Sequence, residues 1–245
     1  YSLQPSNPHY YFFQDVASVH SVHVTPDEAV MVTTLALQSA AEVALWDFQT
    51  KRLIRKFPVA EATQAVLLPG REIVALGLST GHLLLLDAIT GQELYRIRPH
   101  GGAVLDMVLS PDAKWLATTD GTSVQVWNAA TGDTQFNARG EAEKLRFTAD
   151  STALFAGSIR GGLAKLGLDG AVLSQVDPGA ERPDMTGLFM QAVPAMALSP
   201  EGVLVNLHSE SVQQSDGFYA TRSWLEIIPP TAAARHLILT AGDGT

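Results

Sequence analysis

A short phrase that recurs along the chain constrains its fold more than any other feature. The phrase is an apolar strand that ends in a turn built around Pro and Asp or Gly, as in "LSPDAKWLATT" from Leu109. The turn position is occupied by Pro26, Pro69, Pro111, Ala149 and Pro200. Successive copies therefore lie 43, 42, 38 and 51 residues apart. Units of this size bury their apolar surface only by stacking on one another, so we expect a repeat architecture.

Each repeat contains four segments of strand length separated by turns, and the first three are mainly apolar. The second strand follows the Pro turn, and the third carries an aromatic residue or Leu before an acid or amide, as in "VQVWNA". The fourth segment alternates polar and apolar residues, as an edge strand with one face in water does. A helical 3.6-residue periodicity never extends over 12 residues. The pattern predicts an all-β protein made of small four-stranded sheets.

These units resemble WD40 repeats, and the resemblance extends over about 16–245. The literal Trp-Asp pair occurs at Trp46 and Asp47, and the best match is the repeat over 99–138. The resemblance implies a β-propeller of four-stranded blades. It also implies a structural hydrogen-bond tetrad in the best-matching repeat, formed by His100, Thr118 (or its neighbour Thr119), Asp120 and Trp127.

A second, weaker resemblance is to the blades of PQQ-type quinoprotein propellers. It rests on "LLLLDAITGQELYRI", where Tyr95 stands at the position of the docking Trp of that family. Both families are radial arrangements of β-sheets, so the expected architecture is the same for either.

The repeats predict five complete blades and part of a sixth. The expected bounds are 16–60, 61–100, 101–139, 140–179 and 192–222, with a partial blade over 223–245. We interpret residues 1–15 as an N-terminal segment that could supply a closing strand. Because the last repeat breaks off at Thr245, we favour the interpretation that this chain is part of a longer protein.

Composition narrows the classes of function. The chain has 25 acidic and 16 basic residues, a net charge of −9 and no cysteine. An acidic chain without a dense basic face is not expected to bind nucleic acid. The absence of cysteine excludes disulfides and thiolate metal sites. Its longest apolar runs are too short to cross a bilayer, so we expect a soluble protein without direct membrane insertion. The sequence leaves the compartment open, with the cytoplasm slightly favoured over the periplasm or secretion.

The sequence contains none of the common catalytic motifs. His20 and His23 are three residues apart in a strand and so point to opposite faces, which disfavours a shared metal. Single acids beside Gly in "GDGT" and "SDGF" lack the several oxygen ligands of a calcium loop. No phosphate loop or Gly-x-Ser-x-Gly motif occurs. We therefore expect no catalytic residue, no metal and no cofactor.

Two irregular stretches are the candidate partner-binding segments. One accounts for the long 51-residue step at 177–194, and the other covers 209–224. Both contain aromatic residues, Met or Arg, which are enriched at the centres of protein interfaces. The alternative is that these side chains pack back on the blades, or that the stretches are irregular strands. The candidate residues are Met185, Leu188, Phe189, Met190, Phe218, Tyr219, Arg222 and Trp224.

The favoured hypothesis for function is a non-catalytic scaffold that binds protein partners as a subunit or domain of a larger assembly. One alternative is a cofactor- or metal-dependent propeller enzyme, quinoprotein-like or lactonase-like. Another is an envelope assembly scaffold with PQQ-like blades, which would also act by binding.

Overall fold

The described part of the chain consists of strands and turns. The computed structural model describes residues 16–25, 27–37, 41–68, 70, 72–158, 162–176, 196–199, 201–213, 219–230 and 235–239. These residues form five antiparallel sheets of four strands each, and in every sheet the strands neighbour one another in chain order. No helix that could span a membrane occurs among them.

Each sheet is one blade, numbered here in chain order. Blade 1 contains β1 (Val16–Val24), β2 (Val30–Leu37), β3 (Ala41–Asp47) and β4 (Leu53–Phe57). Blade 2 contains β5 (Ala62–Leu68), β6 (Ile73–Leu78), β7 (Leu83–Asp87) and β8 (Glu93–Ile97). Blade 3 contains β9 (Asp106–Leu109), β10 (Trp115–Thr119), β11 (Gly121–Asn128) and β12 (Thr134–Ala142). Blade 4 contains β13 (Lys144–Phe147), β14 (Ala153–Gly157), β15 (Leu163–Gly167) and β16 (Val172–Val176). Blade 5 contains β17 (Met196–Leu198), β18 (Leu204–Gln213), β19 (Tyr219–Ile228) and β20 (Arg235–Leu239).

The recurring Pro-Asp phrase forms the turn between the first and second strands. In blade 3 the Ser110 hydroxyl donates to Asp112 Oδ1 at 2.7 Å and accepts the Trp115 amide at 3.0 Å. Thr148 and Asp150 repeat this arrangement in blade 4, at 2.5 Å between their side-chain oxygens. Short polar side chains that bond to nearby backbone stabilise turns of this kind. The phrase therefore recurs because every blade needs the same sharp reversal.

The blades are arranged around an axis. The first strands of successive blades, β1, β5, β9, β13 and β17, contact one another in that order. Outer strands such as β8 and β16 are exposed along most of their length. The described residues thus form a β-propeller with its first strands inside.

The hydrophobic core lies between blades. Val32 and Val43 of blade 1 share one cluster with Val74 and Leu76 of blade 2. Equivalent clusters lie between blades 2 and 3, between blades 3 and 4, and between blades 4 and 5. The sheets of blades 2, 3 and 4 therefore bury both faces against their neighbours, and those of blades 1 and 5 bury one face in the described clusters.

Glycine allows the closest approaches between blades. A Cβ added to Gly77 of blade 2 would lie 2.6 Å from a methyl carbon of Val104, which leads into blade 3. A Cβ at Gly157 of blade 4 would lie 2.9 Å from a methyl carbon of Leu204 in blade 5. At both positions any side chain would collide with the next blade.

The sequence-based prediction of an all-β propeller with four-stranded blades is confirmed. Blades 1 to 4 occupy 16–57, 62–97, 106–142 and 144–176, close to the predicted repeats. The last blades differ from the prediction. Residues 223–239 do not begin a sixth blade, because β19 and β20 are the third and fourth strands of blade 5, which spans 196–239.

The physical reason for this difference is the length of two strands. β18 and β19 have ten residues each and pair from Leu204 with Ile228 to Gln213 with Tyr219. The irregular stretch over 209–224, for which a partner-binding loop and irregular strands were both considered, lies largely in the far half of this hairpin. The predicted closing strand over 1–15 and the motif at 240–245 lie outside the described residues.

The joint between blades 4 and 5 gives a stability test. Leu204 is fully buried against Phe155 and Leu163, whereas Leu173 on the outer strand of blade 4 is 58% exposed. We expect Leu204→Ala to lower the free energy of unfolding in urea by about 2–5 kcal/mol, because it opens a cavity at the joint. Leu173→Ala is the matched control and should change it by less than about 0.5 kcal/mol. Equal effects of the two variants would contradict the packing of blade 5 on blade 4.

Candidate partner-binding site

The structure brings together the four side chains of the predicted tetrad in blade 3. Trp127 on β11 donates its Nε1–H to Thr118 Oγ1 on β10, at 3.2 Å. The same hydroxyl lies 2.8 Å from His100 Nε2, at the end of the loop that leads from blade 2. His100 Nδ1 lies 3.8 Å from Asp120 Oδ1. That last distance is too long for a hydrogen bond.

Ser123 completes the connection between His100 and Asp120. Its hydroxyl oxygen is 3.1 Å from His100 Nδ1 and 3.0 Å from Asp120 Oδ1. Because an ionised carboxylate only accepts, Ser123 must donate to Asp120 and accept from His100 Nδ1–H. His100 Nε2 then accepts from Thr118, which in turn accepts from Trp127. The five side chains form one directional relay of hydrogen bonds.

Asp120 joins two loops at one end of the blade. One carboxylate oxygen accepts the Thr122 and Ser123 amides, at 3.0 and 2.9 Å, and the other accepts the Gly101 amide at 3.2 Å. Burial alone would raise the pKa of Asp120, but the hydrogen bonds from Thr122 and Ser123 outweigh it and hold that pKa well below its usual range. The loop entering blade 3 is thus fixed to the β10–β11 turn.

Part of this arrangement recurs in blade 1. Trp46 Nε1 donates to Thr33 Oγ1 at 3.0 Å, which matches the bond from Trp127 to Thr118. Trp46 belongs to the literal Trp-Asp pair of the sequence. The bond from the third-strand Trp to the second-strand Thr is therefore present in two blades.

The predicted partner-binding residues divide into two groups. Met185, Leu188, Phe189, Met190 and Phe218 lie outside the described residues. Tyr219, Arg222 and Trp224 lie on β19, where their backbone is described. The structure thus replaces part of the expected loop with a hairpin.

This hairpin extends beyond its own sheet. β17 pairs with β18 only from Leu204 to Asn206, and β20 pairs with β19 only from Ser223 to Ile227. Residues 210–213 and 219–222 pair only with each other among the described strands. We call these eight residues the blade 5 ribbon. At about 3.4 Å per residue the ribbon reaches roughly 14 Å past the last described pairs with β17 and β20.

Polar side chains near the axis were not found by sequence reasoning. Asp106 on β9 is buried and accepts the Leu145 amide of blade 4 at 2.8 Å, with Lys144 Nζ 3.7 Å from its other oxygen. His23 on β1 lies near Asp106 and Gln64. Burial lowers the pKa of His23, against the opposing effects of these two neighbours. These groups link the first strands of blades 1 to 4.

An axial cavity opens at the ends of the first strands. It has a volume of about 330 Å³, and His23, Ser110 and Arg146 are among the residues that line it. In the part of the chain that the structure describes, no group of three or more His, Cys, Asp or Glu residues is arranged to hold a metal ion.

Comparison with curated proteins connects this geometry to known sequences. The chain is 36% identical over 86 residues to WD repeat-containing protein 3 of Mus musculus and 34% identical over 97 residues to its Homo sapiens counterpart. It is 27% identical over 135 residues to human WD repeat-containing protein 36. The chain resembles WD-repeat proteins. The three matches cover 34%, 38% and 54% of this chain but only 9%, 10% and 15% of those proteins.

Solved structures support the WD-repeat resemblance at the level of the fold. Hydrazine synthase of Kuenenia stuttgartiensis aligns with a TM-score of 0.66 and 13% identity, over 97% of this chain and 70% of that one. A chain of a mitotic checkpoint complex aligns with a TM-score of 0.61 and 16% identity, over 92% and 67% of the two chains. Both neighbours are β-propellers. No protein-family model matches the chain.

The relay makes a prediction about pH. Burial lowers the pKa of His100 although Asp120 opposes this, so the folded state favours the neutral ring more than the unfolded chain does. The unfolded chain therefore binds more protons as the pH is lowered through about 6.5, and the free energy of unfolding decreases as the pH is lowered through that range. We expect the free energy of unfolding to drop between pH 7.5 and 5.5, and to drop less in His100→Gln. His23→Gln should also reduce the drop, because burial lowers the pKa of His23 as well. The same pH slope in wild type and both variants would contradict this assignment.

Proposed function

We propose that this chain is a non-catalytic propeller scaffold that binds protein partners as a domain or subunit of a larger assembly. Similarity to WD-repeat proteins supports a protein-binding propeller.

The blade 5 ribbon is the observation that carries the proposal. Its two strands project from a core in which each sheet is held by its neighbours, and its outer edges pair with no other described strand. An open strand edge offers main-chain donors and acceptors to an added strand. A partner that pairs with the ribbon is held in a fixed position relative to the blades.

The candidate residues fit this use of the ribbon. Tyr219 and Arg222 lie on it, opposite Gln213 and Glu210, and Trp224 lies two residues beyond. Tyr, Trp and Arg are the residue types most enriched among those that dominate binding energy. We extend the proposal to Phe189 because the 177–194 stretch in which it lies contains Phe and Met, which are enriched at protein interfaces.

An enzymatic alternative has weaker support. The alignment with hydrazine synthase is 13% identical and concerns the fold alone. The tetrad-type relay of blade 3 connects loops within the blade and leaves its carboxylate fully hydrogen-bonded. The relay therefore gives no support to a catalytic role for Asp120.

The test is capture of partners by the 245-residue chain, identification by mass spectrometry and measurement of Kd for each. We expect the triple variant Phe189→Ala, Tyr219→Ala and Trp224→Ala to weaken binding at least about 100-fold, since two or more dominant residues are removed. The matched control is Val172→Ala with Leu173→Ala, which truncates exposed apolar residues on another blade. This control should leave Kd within about threefold.

Two results would count against the proposal in different ways. If the triple variant stays folded and retains every partner at unchanged Kd, the ribbon and the 177–194 stretch are not the binding site. If the chain captures no partner, and calcium with a quinone cofactor gives a saturable absorbance change, the scaffold hypothesis is replaced by the cofactor-dependent enzyme.

A further inference from the structure

An apolar groove lies on the outside of the propeller, between blades 2 and 3. It has a volume of about 480 Å³. Leu85, Ile97 and Trp127 are among the apolar side chains that line it, and the turn over 128–133 forms one wall. Tyr95 on the outer strand of blade 2 also lines it and is 56% exposed.

The equivalent joint between blades 1 and 2 is occupied by an arginine of the chain itself. Arg55 on β4 donates to the carbonyl oxygens of Ile89 and Thr90, in the turn between the third and fourth strands of blade 2. Its guanidinium carbon lies 5.8 Å from the centre of the Phe57 ring. A Cβ added at Gly91 in this turn would lie 3.7 Å from two guanidinium nitrogens of Arg55. The arginine therefore covers the turn of the next blade.

The joint between blades 3 and 4 is closed by different side chains in the same places. Phe136 on β12 covers Gly170, where an added Cβ would lie 3.3 Å from its ring. Gln135 donates to the Leu168 carbonyl at 3.1 Å. At both joints an outer-strand side chain covers the glycine of the next turn, and a side chain of the same strand donates to one or two of its carbonyls.

At the joint between blades 2 and 3, no described side chain covers the turn glycine and none donates to the turn carbonyls. Tyr95 is the counterpart of Arg55 and Phe136. Each of the three is the first residue after the bulge in its outer strand that pairs with the third strand of its blade. A Cβ added at Gly132, the counterpart of Gly91, would meet no atom within 4 Å. Among the described residues, no hydrogen bond reaches the carbonyls of Ala130 and Thr131, the counterparts of Ile89 and Thr90. The turn of blade 3 is open where the other two turns are covered.

We propose that this groove binds an arginine side chain of a partner protein, which takes the place that Arg55 occupies one blade earlier. The inference rests on the proposed function, because it presumes a protein partner. The aliphatic part of the arginine would lie on the apolar floor. The guanidinium would stack against Tyr95 and donate to the carbonyls of Ala130 and Thr131.

The chemistry of the groove selects arginine over other occupants. Two adjacent carbonyl oxygens need two donors in a fixed fork, which the guanidinium has and the lysine ammonium lacks. The Ala130 and Thr131 amides already donate to Asn128, and the Thr131 hydroxyl donates to Asp133, so a carboxylate would find these donors occupied and Asp133 beside it. A purely apolar side chain would leave both carbonyls without donors. The net charge of −9 also favours a cationic partner.

The experiment is a titration followed by amide NMR on the 245-residue chain, with N-acetyl-arginine-amide as the probe. We expect saturable shifts confined to Tyr95 and the turn around Gly132. N-acetyl-lysine-amide and N-acetyl-citrulline-amide should bind at least about fivefold more weakly, because they lack the charged fork. Equal shifts for arginine and lysine, or arginine shifts that spread over acidic surfaces without saturation, would overturn the inference.

Three variants sharpen the test. Tyr95→Arg supplies the arginine from within the chain, as in the preceding joint, and should abolish the saturable shifts at Gly132. Val172→Arg is the matched control: it adds the same charge at an exposed position on the outer strand of blade 4, away from the groove, and it should retain binding. Tyr95→Ala should weaken binding without adding charge, which keeps the test valid if Tyr95→Arg does not fold. Equal loss in Val172→Arg and Tyr95→Arg would show that bulk charge, and not the groove, governs binding.

The result of the arginine titration can be distinguished from the result of the partner-capture test. If arginine does not bind while partners are still captured through the blade 5 ribbon, only the groove inference fails. If arginine binds but no partner is captured, the scaffold proposal fails and the groove remains an arginine site.

Discussion

Burial of sheet faces between neighbouring blades is the constraint on which the whole structure depends. A four-stranded sheet of this size has two apolar faces and cannot cover either by itself. Each hydrophobic cluster accordingly combines residues of two consecutive blades. The closest contacts require the absence of a side chain, as at Gly77 against Val104 and Gly157 against Leu204. Stacking in this way leaves the outer strands and the turns at the blade ends for other uses.

Polar interactions then determine which of these outer regions are fixed and which stay open. The relay from Trp127 to Asp120 holds the loop entering blade 3, and Asp106 connects blade 3 to blade 4 near the axis. At two outer joints a side chain of the chain itself covers the turn of the next blade, and at Tyr95 that turn is uncovered. The blade 5 ribbon and this groove both depart from the repeating pattern. A regular scaffold with a few local departures suits a protein that binds partners through the departures.

Much of the fold follows from the sequence because its signals are local. The Pro-Asp turns and the strand lengths between them give blades 1 to 4, and the WD40 resemblance names four of the five side chains of the relay. Ser123 was missed because its role depends on a distance between two loops, which no local pattern encodes. Blade 5 was misjudged because the far half of its long β18–β19 hairpin is polar and separates the Pro200 phrase from the third and fourth strands of the blade. Asp106 and His23 meet only when separate first strands converge on the axis. The open groove emerges only from a comparison of equivalent joints in three dimensions.

The most direct test of the central claim is the measurement of nuclear Overhauser effects between blades in the assigned chain. The structure predicts strong effects between the Leu204 methyl groups and the Gly157 α-protons, and between the Val104 methyl groups and the Gly77 α-protons, because the carbon atoms concerned are in van der Waals contact. Effects that link Leu204 or Val104 to other sheets instead, with none to these glycines, would contradict the face-to-face stacking of consecutive blades.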